Sequence, residues 1–500
     1  MYTMDYFSTR GAKERVSSAA AILKGLASDG GLFVPDSFPQ MTLSEIEALV
    51  PLSYEERAVR ILRLFLTDYT EEELRGCVER AYGRTFDDVR RAPVRAVGDL
   101  EVLELWHGPT SAFKDMALQL LPQLMSTARV KEGERDTILI LVATSGDTGK
   151  AALEGFTDAE GIRIMVFYPD GGVSPVQRLQ MVTQTGANVS VVAVRGNFDD
   201  AQRGVKEIFG DAAMAEELAA LRTKLSSANS INWGRLVPQI VYYFSAYADL
   251  LRERKITAGD AVNFTVPTGN FGNILAGYYA KRMGLPVGKL VCASNANNVL
   301  TDFLQTGIYD RKREFCQTIS PSMDILVSSN LERLLYHLTE DTAQVAAWMR
   351  ELAENGTYDA SGLLPVLREN FWAAFTSDMM TEEEIRIVCE RTSYTLDTHT
   401  AVAYRVAEDY RRETGDMRPM IVLSTASPYK FGASVLHALG KDTDGLDEFT
   451  LMERLHMRSG MEIPARLAAL REAKVLHDGI CECDGMRTAV LSFAGHKKKQ

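Results

Sequence analysis

The sequence predicts an α/β protein with parallel sheets and flanking helices, plus a helical N-terminal domain. From Pro93 onward, short β-rich runs alternate with helical patterns, which is typical of a parallel sheet with right-handed crossovers. Before that point the chain is rich in helix formers and carries capping signals such as Thr70-Glu-Glu-Glu73. Because 500 residues exceed what one hydrophobic core usually serves, more than one domain is expected.

The change in secondary-structure pattern along the chain predicts three structural regions. Residues 1–90 form the helical N-terminal domain, and residues 91–440 form the main α/β domain, with a smaller subdomain around 140–240. Residues 441–500 form a C-terminal extension whose pattern is helical and then weakly β over 489–493. The sequence does not indicate a role for this extension.

Six apolar runs in the main α/β domain predict core strands, at 137–143, 162–168, 188–194, 261–266, 289–294 and 420–424. Between two of them, Ser174 and Pro175 predict the capped start of a helix over 174–184. In parallel sheets of this kind ligands bind beyond the carboxyl ends of the strands. We therefore look for the site in the loops that follow the strands.

Composition excludes several classes of protein. A net charge of −12 argues against a nucleic-acid-binding protein, which needs a basic face, and the basic end at 496–500 is expected to be a solvated tail. No apolar stretch has the length of a membrane span. The six scattered cysteines form neither a disulfide framework nor zinc spacing, so we expect reduced thiols, a cytoplasmic location and no metal site.

A lysine within Glu104-Leu-Trp-His-Gly-Pro-Thr-Ser-Ala-Phe-Lys114-Asp-Met-Ala is the first candidate catalytic residue. Thr110 or Ser111 is expected to cap the helix that follows, which would put Lys114 in the first helical turn. The helix dipole and partial desolvation there favour the neutral, nucleophilic amine. An isolated lysine of this kind is usually an ordinary surface residue, so the assignment depends on the loops described next.

Two stretches share the order of apolar strand, glycine-rich polar loop and helix. They are Leu141-Val-Ala-Thr-Ser-Gly-Asp-Thr-Gly149 and Phe264-Thr-Val-Pro-Thr-Gly-Asn-Phe-Gly-Asn273. Such loops present backbone N–H groups to an anion. In the second, Gly269 and Gly272 are expected to adopt positive φ and allow close approach of a phosphate. The first is not a nucleotide-binding P-loop, because only two residues separate its glycines where that motif needs four.

A third stretch, Ser226-Ser-Ala-Asn-Ser-Ile-Asn-Trp-Gly-Arg235, precedes a helix predicted over 236–254. Its hydroxyl and amide groups fit either a capped loop or a polar wall of a site. Arg235 is the side chain best suited to two-point binding of a phosphate or carboxylate.

Taken together, HGPTSAFKD, ATSGDTG, SANSINWGR and PTGNFGN resemble the threonine synthase family, whose catalytic domain has the tryptophan-synthase-β-like fold type II of pyridoxal phosphate (PLP) enzymes. The opening segments 6–11 and 26–35 also look like the N-terminal domain of that family. Thr425-Ala-Ser427-Pro departs from the family's usual Thr-Ala-His-Pro, which leaves Thr425 in place but removes a histidine. The block around His399 is similar to the family's, although a lone histidine there is more often structural.

The resemblance implies that Lys114 binds PLP covalently and acts as the general base. It implies that the cofactor is also held by Gly269, Asn270, Phe271, Gly272, Asn273 and Thr425. In that family the remaining polar loops face the substrate, which here gives Thr144, Ser145, Asp147, Thr148, Asn229, Ser230, Asn232 and Arg235.

The implied reaction converts O-phospho-L-homoserine and water to L-threonine and phosphate. The protein is expected to be a monomer or a homodimer. Two other functions stay open at this point. One is a PLP-dependent serine or threonine dehydratase or a β-replacement enzyme. The other is a non-catalytic, PLP-retaining sensor or partner-binding protein, which should lack one of the residues that carry the chemistry. Lys114, Asn270 and Thr425 are all present.

Overall fold

The computed structural model describes residues 3–144 and 146–495, and its strands and helices alternate through the middle of the chain as predicted. The strands are β1 Tyr6–Ser8, β2 Phe33–Pro35, β3 Val94–Val97, β4 Leu100–Glu104, β5 Thr137–Ala143, β6 Ile162–Pro169, β7 Val189–Arg195, β8 Thr223–Ser226, β9 Val262–Pro267, β10 Val287–Ser294, β11 Ile308–Asp310, β12 Thr357–Asp359, β13 Phe371–Phe375, β14 Met420–Ser424 and β15 Gly479–Glu482. All six predicted core strands are confirmed, with ends shifted by one or two residues.

The helices begin with those of the N-terminal region and continue between the strands. They are α1 Ser18–Lys24, α2 Leu43–Glu47, α3 Tyr54–Phe65, α4 Glu71–Tyr82, α5 Asp115–Leu118, α6 Leu121–Lys131, α7 Asp147–Phe156, α8 Pro175–Val182, α9 Phe198–Gly210, α10 Ala212–Ala220, α11 Trp233–Arg252, α12 Gly272–Arg282, α13 Val299–Thr306, α14 Leu331–Thr339, α15 Thr342–Asn355, α16 Leu364–Asn370, α17 Asp378–Thr392, α18 Thr398–Thr414, α19 Gly432–Ala438, α20 Glu448–Ser459, α21 Ala465–Ala468 and α22 Met486–Gly495. None of these helices is both long and apolar enough to cross a membrane.

Two sheets carry the loops of interest. The larger has six strands in the order β13-β10-β9-β14-β4-β3, and only β3 runs antiparallel to its neighbour. The smaller has five parallel strands in the order β15-β7-β6-β5-β8. Because parallel strands end at the same edge, the loops after β4, β9 and β14 are neighbours, and so are those after β5 and β8.

The N-terminal helices share one hydrophobic core with the central region. Buried side chains of α1, α3 and α4 belong to the same cluster as those of α11 and α12. A buried ion pair joins the two parts, since Arg57 Nη1 lies 2.7 Å from Asp249 Oδ1 on α11. Removing either partner alone would leave an uncompensated buried charge, so residues 1–90 and the central region are tightly coupled.

The C-terminal extension crosses to the smaller sheet. Its strand β15 pairs with β7, and the N–H groups of Leu476 and His477 both donate to the carbonyl of Val182 at 2.8 and 3.0 Å. The weakly β pattern expected over 489–493 is wrong, because those residues lie in α22. Met486 and Val490, four residues apart, are both buried in the smaller sheet's core, which is helical spacing.

Candidate active site

Lys114 is buried at the carboxyl end of β4, with 9% of its surface exposed. The prediction that Thr110 or Ser111 caps the next helix is wrong. Lys114 itself is the N-cap of α5, and Thr110 instead donates from its N–H and its hydroxyl to the carboxylate of Asp115, at 2.7 and 2.8 Å. Burial lowers the pKa of Lys114 to about 8, so the neutral amine is more accessible near physiological pH than in an ordinary lysine.

The 318–324 region, unnoticed in the sequence, connects Lys114 to the glycine-rich loop after β9. Lys114 Nζ donates to Ser322 Oγ at 3.4 Å, and a Cβ added at Gly269 would lie 2.9 Å from the Ser322 carbonyl oxygen. His399, which stands behind this turn, accepts the N–H of Ser322 on Nε2 at 3.1 Å. Its Nδ1 lies 3.1 Å from Asp397 Oδ1. His399 therefore holds the turn from behind.

The loop after β9 is confirmed as the start of a helix, but its backbone differs from the prediction. Neither Gly269 nor Gly272 has a positive φ; the left-handed residue is Phe271, at φ 62°. The buried Phe271 ring packs near Phe371, at 5.9 Å between centroids, and this packing offsets the backbone strain. Position 269 requires glycine because the Ser322 carbonyl approaches it closely. A positive φ is not required there.

The first turn of α12 has donors without acceptors among the residues that the structure describes. The helix has no side-chain cap, so its leading N–H groups, at Gly272 and Asn273, lack intrahelical partners. The side-chain Nδ2 of Asn273 is also buried without a hydrogen bond, while its Oδ1 accepts from the hydroxyls of Tyr242 and Tyr243 at 2.7 and 3.1 Å. Unmet donors at a positive helix end fit a bound anion such as a phosphate group.

Asn270 lies at the exposed side of the same loop. Its Oδ1 accepts from Ser329 Oγ, which in turn lies 3.3 Å from Ser230 Oγ. This hydroxyl contact brings the predicted cofactor loop and the predicted substrate loop together, although 40 residues of sequence separate them. Asn229 and Ser230 are half-buried on the facing wall.

Arg235 and Asn232 have different surroundings. Arg235 is 6% exposed, and its Nη1 donates to the Ala228 carbonyl at 2.9 Å. It has no carboxylate partner among the described residues, which fits a binding site for a ligand anion. Asn232 is fully buried, caps α11 and donates to the carbonyls of Ile22 and Ser227, so its side chain is committed to holding the loop.

The segment that leads into α7 presents an acid. Asp147 is the first residue of α7, and its Oδ2 lies 4.0 Å from Lys114 Nζ. Thr144 Oγ1 accepts the N–H groups of Gly146 and Gly149 at 3.0 and 2.9 Å, so it holds the loop, and Thr148 is half-buried in the first turn. Ser145 lies outside the described residues.

Thr425 follows β14 and lies beside the lysine stretch. Its carbonyl accepts the N–H of Phe113 at 2.8 Å, and Ala426 forms an antiparallel bridge with Ala112. The Ser427 hydroxyl is buried and has no hydrogen-bond partner among the described residues. Another buried lysine, Lys430, lies at the end of this turn, and the sequence prediction did not include it. The sequence could have indicated this lysine, because it lies only five residues after Thr425, which directly follows a predicted core strand.

Comparison with known proteins agrees with this geometry. Three family models match the chain: "Threonine synthase N terminus" over residues 5–82, "Pyridoxal-phosphate dependent enzyme" over 98–362 and "Threonine synthase, C-terminal" over 400–476. The threonine synthase of Pseudomonas aeruginosa is 43% identical over 86% of this chain and 90% of its own. Human threonine synthase-like 1 is 42% identical over 84% of this chain, which spans only 57% of that longer relative.

Solved structures give the same result. A PLP-bound threonine synthase from Brucella melitensis has a TM-score of 0.87 at 38% identity, covering 99% of this chain and all of its own. The threonine synthase from yeast has a TM-score of 0.86 at 34% identity, covering 98% of each chain. The tryptophan-synthase-β-like fold type II and the helical N-terminal region predicted from the sequence are therefore confirmed.

Proposed function

We propose that this chain, which belongs to the threonine synthase family, converts O-phospho-L-homoserine and water to L-threonine and phosphate. The observation that carries the proposal is a buried lysine near two groups suited to bind anions. One is the uncapped start of α12, and the other is the guanidinium of Arg235, which has no carboxylate partner among the described residues. The reaction needs both, because cofactor and substrate each carry a phosphate.

The cofactor is pyridoxal phosphate, which when bound supplies the electron sink that lets a proton leave the substrate Cα and lets phosphate depart from Cγ. The unmet donors of Gly272 and Asn273 would hold its phosphate, with Gly269, Asn270 and Phe271 shaping the loop. The hydroxyl of Thr425 would face its ring nitrogen. Being neutral, this hydroxyl would leave the ring nitrogen largely unprotonated and so temper the electron sink.

Lys114 would hold the cofactor covalently and, once released, would move protons at the substrate's Cα and Cβ. Burial favours its neutral amine, which is the form that can act as nucleophile and as base. Its contact with Ser322 Oγ fixes the direction of the amine. Arg235, with Asn229 and Ser230 on the same wall, would bind the substrate's phosphate or carboxylate. Thr144, Asn232 and Thr148 would support these loops.

The test is a phosphate-release assay with O-phosphohomoserine on the purified full chain, with product identification and a visible spectrum. Threonine and phosphate in equal amounts, together with the absorbance of a lysine-bound cofactor, would support the whole proposal. The same absorbance without phosphate release, but with oxo-acid formation from serine or threonine, would favour a dehydratase. Absorbance with no turnover of any of these would favour a non-catalytic homologue.

Lys114→Ala should abolish the visible band and lower kcat by at least about a thousandfold, because it removes both the attachment point and the base. Lys150→Met is a matched control, since Lys150 is equally buried but pairs with Glu154 at 2.9 Å. It should retain the band. A Lys114→Ala variant that keeps both band and turnover would contradict the assignment. The cytoplasmic location and the monomeric or dimeric state stay predictions.

A further inference from the structure

Lys430 is a buried cation held entirely by oxygen atoms. Its side chain has no exposed surface, and its Nζ lies 2.8 Å from Asp147 Oδ1, 2.6 Å from Gln180 Oε1 and 3.2 Å from the Thr110 carbonyl. These three partners come from α7, α8 and the loop after β4. A fully satisfied ammonium in such a cage has a fixed position.

The carboxylate of Asp147 is divided between two lysines. Its Oδ1 receives Lys430 and the side-chain amide of Gln177 (Nε2 to Oδ1 3.1 Å), and its Oδ2 faces Lys114 at 4.0 Å. As the first residue of α7, the carboxylate is also stabilised by the positive end of the helix. Burial opposes its charge, yet Lys430 and Lys114 hold the pKa of Asp147 well below its usual range.

The charged groups that act on Lys114 come from four places. Asp147 on α7 is negative, whereas Arg235 on α11 and Lys430 after β14 are positive. On its own helix is Asp115, whose pKa burial raises to about 7, so it carries only part of a negative charge near neutral pH. Asp147 is therefore the principal anion that favours a proton on Lys114.

We propose that Asp147 is the counter-ion that retains a proton on the Lys114 nitrogen while that nitrogen is joined to the cofactor, and that Lys430 weakens this hold by sharing the same carboxylate. A protonated nitrogen makes the linked carbon a better target for an incoming amine. Lys430 then acts against that proton, by sharing the Asp147 carboxylate and by its own positive charge. The inference rests on the cofactor part of the proposed function and does not depend on which substrate is used.

The test is a pH titration of the visible cofactor band of the PLP-loaded full chain, because that band reports the proton on the linking nitrogen. Asp147→Asn should lower the midpoint by about one unit or more, as expected for losing an opposite charge within ~4–6 Å. Lys430→Met should raise it, since a repelling cation is removed. The two shifts have opposite signs although both variants break the same ion pair.

Two further variants keep the test valid if a single change disturbs folding. Asp147→Asn/Lys430→Met removes both charges and leaves no unpaired buried ion; its midpoint should lie below wild type but above Asp147→Asn. Lys430→Arg keeps the cation and should leave the midpoint near wild type. Glu154→Gln, which breaks the Lys150 pair on the same helix, is the control and should not move it.

A purely structural ion pair would give a different pattern. Thermal stability would fall in both single variants and recover in the double variant. The midpoint of the pH titration would stay unchanged in all of them. That result, or a downward shift in Lys430→Met, would overturn the inference. A normal band with no phosphate release would contradict only the proposed reaction. Absence of any band in the wild-type protein would overturn the cofactor assignment and this inference together.

Discussion

The segment after β9 and the segment after β5 follow the same order of strand, glycine-containing turn and helix, yet they present opposite charges to the site. The first ends in unmet donors at the start of α12, with no ionised side chain in the turn. The second ends in the carboxylate of Asp147, already paired with Lys430. One side chain at the first helical turn thus gives the two segments opposite charge character.

The largest expected effect comes from making the first segment resemble the second. Asn273→Asp keeps an oxygen that can accept from Tyr242 and Tyr243, but it replaces the unpartnered amide with a charged oxygen. Repulsion in a buried site should weaken PLP binding by about a hundredfold or more, measured by titration of the visible band. Pyridoxal, which lacks the phosphate, is the control ligand and should bind equally to both proteins. Equal loss for both ligands would mean that the loop simply misfolds.

The next effect concerns the glycines, which are not equivalent in the two segments. Gly146 has φ 143°, and a Cβ there would lie 2.4 Å from the Gln177 side chain, so Gly146→Ala should cost about 1–3 kcal/mol in the free energy of unfolding. Gly272 has an ordinary φ, and a Cβ would meet nothing closer than 3.4 Å. Gly272→Ala should leave the stability of the cofactor-free protein nearly unchanged in urea unfolding. Equal losses in the free energy of unfolding would contradict the prediction that only Gly146 needs glycine for its backbone conformation.

The smallest effect is the pH dependence of stability. The folded-state pKa of Asp147 lies below its unfolded value, so its carboxylate contributes stability that is present above about pH 3.9 and lost as the pH falls towards the folded value. The stability difference between wild type and Asp147→Asn should therefore shrink when urea unfolding is repeated from pH 7 to 3.5. Asn273→Ala, in the segment without an ionised group, should give a difference independent of pH. A constant difference for Asp147→Asn would contradict the ion pair.

Much of this site could be predicted from local sequence. The periodicity of β-branched runs located the core strands, and Ser174 with Pro175 marked the start of α8, where the structure has a capping box. Glycine, asparagine and threonine clusters marked both loops, because the carboxyl ends of parallel strands need such residues. The cap of the lysine helix could not be predicted in the same way. Thr110 could pair either with the helix N–H groups or with the buried carboxylate of Asp115, and in the structure it donates to Asp115.

The backbone conformation of the loop after β9 could not be predicted from local sequence patterns either. Glycines at 269 and 272 suggested positive φ, but the left-handed residue is Phe271, whose ring gains enough from packing on Phe371 to accept the strained conformation. Packing of this kind depends on β13, about a hundred residues further along the chain. No pattern within the loop itself contains that information.

By itself, the sequence determined the kinds of chemistry available: a lysine after a strand, two helix starts, an acid and an arginine. The tertiary structure alone decided which of them meet. Ser322 reaches Lys114 across 208 residues of chain, and Lys430 reaches the carbonyl of Thr110 across 320. The physical reason is sheet order. Because β14 pairs between β4 and β9, the turns after these strands converge, and the lysine that follows β14 becomes the partner of an acid beyond the end of a strand in the smaller sheet.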